Sequence, residues 1–327
     1  MHRRTFARFA WFFVAYLVAV ILFGAWVRIT GSGNGCGSHW PACNGAIIPP
    51  APETKTLIEY THRLMSGLSL IFAVTLVIWA RRVGRDVFRA ALVALSFLII
   101  EALLGAVLVK AHLVVDDASV ARALVVALHL ANTLLLTASA ALVAWRAGSL
   151  ESVPGGMAGT EAAPRSAPNE GFARGRAARL PASPVLLGLA LVALMLTCMS
   201  GAVTALGDTV FPTQPALDAS LMTAIRADAS PGQHFLVRLR VLHPLVAVVS
   251  AMLVAGILLR TVTGRTMTEP VLTRLAALGF AAVVLQTGLG FVNVLLAAPG
   301  WMQILHLLMA QTVWISTWLV FLAARPR

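Results

Sequence analysis

The sequence predicts an all-α polytopic membrane protein, with eight transmembrane helices forming two pseudo-symmetric four-helix bundles. Three observations predict it. The composition is too apolar for water, eight apolar stretches are long enough to cross a bilayer, and a four-span unit recurs in the second half. Of 327 residues, 59% are hydrophobic and 12% charged, and mean hydropathy is +0.85. A soluble domain carries about 25% charged residues, so this chain has too little polar surface to face water. The apolar stretches fall at roughly 9–28, 60–80, 89–110, 121–145, 184–205, 237–259, 271–296 and 301–323. A hydrocarbon core of about 30 Å takes about 20 helical residues to cross, and each stretch meets that length. The short alternating segments of a membrane β-barrel are absent. The first stretch follows a basic start but lacks a small-residue cleavage site, and reads as a retained helix rather than a signal peptide.

The formal charge of +12 raises the question of nucleic acid, and its placement answers it. Most of the arginines fall on one side of the predicted membrane: Arg3, Arg4 and Arg8, then Arg81, Arg82, Arg85 and Arg89, then Arg146 to Arg179, then Arg260 to Arg274, and last Arg325 and Arg327. The opposite loops carry Asp116, Asp117, Asp208, Asp218 and Asp228. The positive-inside rule puts the arginine side, with both termini, in the cytoplasm. The expected partner of the basic charge is therefore the lipid bilayer and not nucleic acid. With no amphipathic Arg/Ser-rich presequence, the expected location is a bacterial inner (plasma) membrane.

Residues 147–183 break the apolar pattern. They are rich in Gly, Pro, Ala, Ser and Arg, and read as a flexible cytoplasmic linker. The linker divides the chain into an N-terminal bundle, 1–146, and a C-terminal bundle, 184–327. The halves resemble each other. The second span reads EYTHRLMSGLSLI and the sixth RVLHPLVAVVSAM, which pairs His62 with His243. The fourth reads LHLANTLLLTAS and the eighth LHLLMAQTVWIS, which pairs His129 with His306. The third and seventh match loosely, with Glu101 opposite Gln286. Four spans per unit keep both units in one orientation, a parallel repeat.

Those four histidines lie inside spans, where an ionisable side chain is costly and marks function by default. A single one is as well explained as an interhelical hydrogen-bond partner. Four at matched positions are not. All fall early in even-numbered spans, at one depth near the outer face. Two imidazoles on different helices can hold one iron from both axial sides, and a bundle interior is an established place for a cofactor. Zinc sites cluster more tightly and add Cys or carboxylate. Small residues that would let a flat macrocycle between helices are Gly24, Gly67, Gly105, Gly201, Gly288 and Gly290, although small residues also serve plain helix packing. Arg28, Arg63, Arg238 and Arg240 are placed near the outer edge, where heme propionates want cations; interfacial snorkelling is the alternative.

The halves differ at one position. Glu59 lies three residues before His62, one turn away on the same face. The position three before His243 is Arg240. A proton carrier beside iron suits chemistry and a cation suits electron storage, so catalysis is expected in the N-terminal half and electron transfer in the C-terminal half. The alternative for Glu59 is an ion pair with Arg63, one turn further on. In the first outside loop, Cys36 and Cys43 form either a disulfide, a metal pair or a redox-active pair. Cys198, within the fifth span, reads as a small packed apolar group.

The stretch GAWVRITGSGNGCGSHWPAC, followed by IEYTHRLMSG, resembles the heme A synthase family, in its bacterial form with a first-loop cysteine pair. The resemblance runs over essentially the whole chain. It implies oxidation of the C8 methyl of heme O to a formyl group, giving heme A for terminal oxidases. It further implies that His62 and His129 flank the substrate heme, that His243 and His306 ligate a resident heme b, that Glu59 is the catalytic acidic residue, and that Cys36 and Cys43 are the first-loop disulfide pair. Heme O synthase and an electron donor are the implied partners, and a homo-oligomer is compatible with it. Two departures stand out. Residues 206–236 lack the second cysteine pair of some relatives, and Pro244 follows His243 where Arg63 follows His62, so the sixth span should bend there. A non-enzymatic di-heme membrane cytochrome would use the same histidines. A transporter would need charged or broken helices at the midplane, and Glu101 is the one deep ionisable residue.

Overall fold

The structure is a computed structural model and describes residues 2–149, 183–212, 221–264 and 270–325. Among the described residues the chain forms α1 (His2–Ile29), α2 (Thr54–Ala80), α3 (Arg85–Lys110), α4 (Val120–Ser149), α5 (Pro184–Val210), α6 (Leu221–Asp228), α7 (Phe235–Leu239), α8 (Leu242–Thr263), α9 (Pro270–Leu295) and α10 (Gly300–Ala324). Eight helices are long and apolar enough to cross a membrane, with α7 and α8 together making the sixth, Phe235–Thr263. The protein is thus an all-α, eight-span membrane protein. The linker expected at 147–183 falls almost entirely on residues outside the described set; Ala147, Gly148 and Ser149 still belong to α4.

Local signals fix several ends. Ser183 caps α5 by accepting a hydrogen bond from the Leu186 amide, with Pro184 at the first helical position, where its missing N–H costs nothing. The sixth span breaks at Arg240 and Val241, between α7 and α8. Pro244 cannot donate to the carbonyl four residues back, that of Arg240, and its ring crowds that turn. The expected bend is therefore present. Helix α6, in the loop before it, was not anticipated from the sequence.

Within each half the helices close into a ring in the same order, α1–α2–α3–α4 and α5–α8–α9–α10. The first core gathers Phe6, Phe13, Leu76, Val87 and Val143; the second gathers Leu187, Leu258, Leu272 and Trp314. Helix α4 joins them. It packs on α5 and α10, and its Leu134 and Ala138 belong to the second core. The buried small residues Ala138, Ser139, Ala140 and Ala141 let neighbouring backbones come close. Across this seam the Trp314 indole N–H donates to the Leu134 carbonyl at 2.8 Å. Large apolar side chains such as Ile71, Ile78, Ile99 and Leu103 point outward, as a lipid-facing surface requires. An even number of crossings leaves the start of α1 and the end of α10 at one end of the bundle, and the α1–α2 loop at the other.

Candidate functional site: paired histidines at the disulfide end

His62 lies early in α2, His129 early in α4, His243 at the start of α8 and His306 early in α10. Each of these helices begins at the end of the bundle that carries the α1–α2 loop, so the four rings sit at that end. They fall into pairs. His62 and His129 are close enough to feel one another's charge, and so are His243 and His306. Each pair belongs to one ring of four helices.

Three of the rings lie directly on helix backbone. A Cβ on Gly24 would stand 2.9 Å from His62 Cε1, one on Gly201 2.9 Å from His243 Cε1, and one on Gly290 3.0 Å from His306 Cε1. Any side chain there would displace the imidazole. Of the six glycines expected to open room, Gly67, Gly105 and Gly288 have nothing within 4 Å of such a Cβ.

The ring nitrogens have different neighbours. Ser200 Oγ is 2.9 Å from His243 Nδ1, and Gln286 Nε2 is 3.2 Å from His306 Nε2. Glu101 Oε1 lies 3.4 Å from His129 Nδ1. His62 has a phenyl ring, Phe23, nearly parallel at 6.4 Å, and its buried Nδ1 has no hydrogen-bond partner. Sequence reasoning left Glu101, Ser200 and Gln286 out of the site. The alignment of Glu101 with Gln286 was the available signal.

The α1–α2 loop, on the side of the N-terminal pair, is closed by a Cys36–Cys43 disulfide, which removes the reading of these cysteines as a metal pair. Glu59, 4% exposed, accepts the Cys36 amide at 2.8 Å on Oε2. Its Oε1 accepts from Arg63 Nε at 3.1 Å and, closer still, from Arg63 Nη2. Arg63 also donates to the His39 and Ala42 carbonyls at 2.5 Å each. The ion pair with Arg63 thus forms, and both Glu59 oxygens have protein donors. Together Glu59 and Arg63 pin the disulfide loop onto α2.

The arginines expected at propionates likewise find protein acceptors. Arg28 donates to the Ala205 carbonyl at 2.6 Å, to Gln303 Oε1 at 2.8 Å and to Thr209 Oγ1. Arg240 is 2.8 Å from Asp208 Oδ1 and donates to the Gly207 carbonyl at 2.7 Å and to the Phe211 carbonyl. Asp228, 3.9 Å from Arg240, titrates above its ordinary range because burial outweighs the pull of that cation. Arg28 and Arg240 both reach the C-terminal end of α5, where backbone carbonyls face them and the Asp208 carboxylate lies beside Arg240. Arg238 alone of the four is exposed.

Among the described residues no three His, Cys, Asp or Glu side chains are grouped to hold a bare metal ion. Two imidazoles per bundle are too few for zinc but sufficient for heme, whose porphyrin supplies the other four ligands. The glycine-backed rings and the orphaned Nδ1 atoms of His62 and His306 fit that group.

Fold and site together define a class: polytopic membrane proteins that hold paired imidazoles inside helix bundles. The chain belongs to the COX15-CtaA family, described as cytochrome oxidase assembly protein and matched over residues 7–318, which is the heme A synthase family and binds heme. A Thermus thermophilus protein named protoheme IX farnesyltransferase is 44% identical over 322 residues, 97% of this chain and 48% of that protein. The chain therefore spans about half the length of this relative. A Bacillus licheniformis heme A synthase is 40% identical over 130 residues, 39% of this chain and 40% of that protein. An Exiguobacterium heme A synthase is 37% identical over 111 residues, 32% of this chain and 36% of that protein.

Proposed function

We propose that the chain is a heme A synthase, converting the C8 methyl of heme O to a formyl group. The observation that carries the reading is an imidazole pair in each of two membrane bundles, in a chain that matches this family over residues 7–318. Methyl to formyl is a four-electron oxidation, by two hydroxylations and loss of water. Each hydroxylation takes one oxygen atom from an external oxidant, dioxygen, while an electron donor supplies two electrons and two protons with which the second oxygen leaves as water. Heme bound between imidazoles supplies one-electron redox chemistry at its iron. His62 and His129 hold the substrate heme in the N-terminal bundle, and His243 and His306 hold heme b for electron transfer. Gly24, Gly201 and Gly290 keep the backbone clear behind three of these rings. Glu59 and Arg63 fix the disulfide loop over the substrate half, and Arg238 offers its exposed guanidinium to propionates. Substrate enters sideways from lipid, and both termini lie in the cytoplasm of a bacterial cell. The step before this one makes heme O, and the Thermus relative, about twice as long and named for farnesyl transfer to protoheme IX, supports a partnership with the protein that performs it.

Mass spectrometry of hemes extracted from cells with and without the protein tests the reading. Formyl heme should appear only when the protein is present. Two hemes b and no formyl heme would select the di-heme cytochrome instead.

A further inference from the structure

The four histidines are held by four different kinds of side chain, and the difference sorts by half. In the C-terminal half both partners are neutral and polar: the Ser200 hydroxyl for His243 and the Gln286 amide for His306. In the N-terminal half one ring, His129, has a carboxylate and the other, His62, has only the face of Phe23. The carboxylate is itself fixed. Asn132 Nδ2 donates to Glu101 Oε2 at 2.6 Å and Thr133 Oγ1 donates to Oε1, both from the helix that carries His129. Donors at both oxygens leave Glu101 an acceptor, aimed at the buried Nδ1 of His129, which has no nearer partner. The glycines repeat the contrast. Gly290, four residues after Gln286, touches His306, whereas Gly105, four residues after Glu101, touches nothing. His129 leans toward the carboxylate instead of lying on the glycine.

We propose that Glu101 is a positioning residue for His129: it accepts the Nδ1 proton, turns Nε2 toward the iron, and makes His129 the retained axial ligand while His62 is the exchangeable one. A ligating histidine whose second nitrogen donates to a carboxylate is oriented and made a stronger donor. A ring backed by a phenyl face has no such restraint. The N-terminal half is then built to open one axial position, and the C-terminal half to keep both closed. This rests on the proposed function, since it concerns the substrate heme of that reaction.

The test uses purified, heme-loaded full-length protein, with the C-terminal heme as internal control of folding. Glu101→Gln should shift the ferric–ferrous equilibrium of the N-terminal heme about tenfold toward the reduced form, about 59 mV in a one-electron titration, and leave the C-terminal heme unmoved. His62→Ala should keep the N-terminal heme, now able to bind carbon monoxide, and His129→Ala should lose it. An unshifted N-terminal potential in Glu101→Gln overturns the proposal. Should that variant shed its N-terminal heme, the histidine variants decide, and equal loss from His62→Ala and His129→Ala overturns it. Wild-type protein that makes formyl heme while either overturning result holds leaves the synthase reading standing. Wild-type protein that makes none sinks that reading first.

Discussion

In the N-terminal half, Glu59 precedes its histidine by one turn, pairs with Arg63 and grips the amide of Cys36 in a disulfide-closed loop. In the C-terminal half, Arg240 holds the matching place and turns away, toward Asp208 and the last carbonyls of α5. The helix order and the glycine behind the even-span histidine are the same in both. What differs is where the polar residue before that histidine sends its charge. One half ties the histidine helix to a covalently closed loop; the other ties it to the neighbouring helix. A common helix order thus carries two different sets of polar contacts, set by a few side chains at one end of the bundle.

The largest effect expected from this division is all-or-none. His243→Ala or His306→Ala should abolish the bis-histidine heme b spectrum of the purified protein, while the N-terminal heme stays. Gly201→Val should do the same by driving a side chain into His243, because its first carbon already falls 2.9 Å from the ring. Loss of both hemes together in any of the three would show that the halves are not separate sites. A smaller effect is expected at Glu59. Glu59→Gln removes the ion pair with Arg63 but keeps an acceptor for the Cys36 amide, and heme A output in cells should fall about tenfold, the size of one charge-assisted contact of about 1.5 kcal/mol. The heme b spectrum should not change. Undiminished output would leave Glu59 a purely structural anchor.

The spans were legible because hydropathy is a local property: every predicted stretch overlaps a helix of the structure, and the excess lies in polar first turns such as Thr54 to Glu59. The repeat was what singled out the four histidines. The protein acceptors of the arginines were not legible. Whether Arg240 meets a propionate or Asp208 depends on where α5 ends, and no spacing in the sequence gives that. Glu101 shows the same limit. Its opposition to Gln286 was readable, but its contact with His129 needs the facing of α3 on α4. Helix α6 escaped because its eight residues are too few for an apolar pattern to be read as a helix, although its apolar positions are periodic.

Arg28 offers the finest test of how far the halves depend on each other. It stands at the end of α1 and reaches α5 through Ala205 and Thr209 and α10 through Gln303, so its guanidinium joins the first helix of one half to two helices of the other. Close by, a Cβ on Gly300 would fall 2.5 Å from Ile29 Cγ2, so the same junction is also tightly packed. If Arg28 is a clamp, Arg28→Ala should lower stability by about 2 kcal/mol, the scale of hydrogen bonds to a charged group. In detergent that is roughly 3 °C in the unfolding midpoint for a chain of this size. Both hemes should remain at full occupancy. Arg28→Lys should recover only part of the loss, because an ammonium cannot present the planar fork that spans two helices. A propionate ligand would behave in the opposite way: the alanine variant would lose heme with little change in unfolding, and lysine, a sufficient point charge, would restore it.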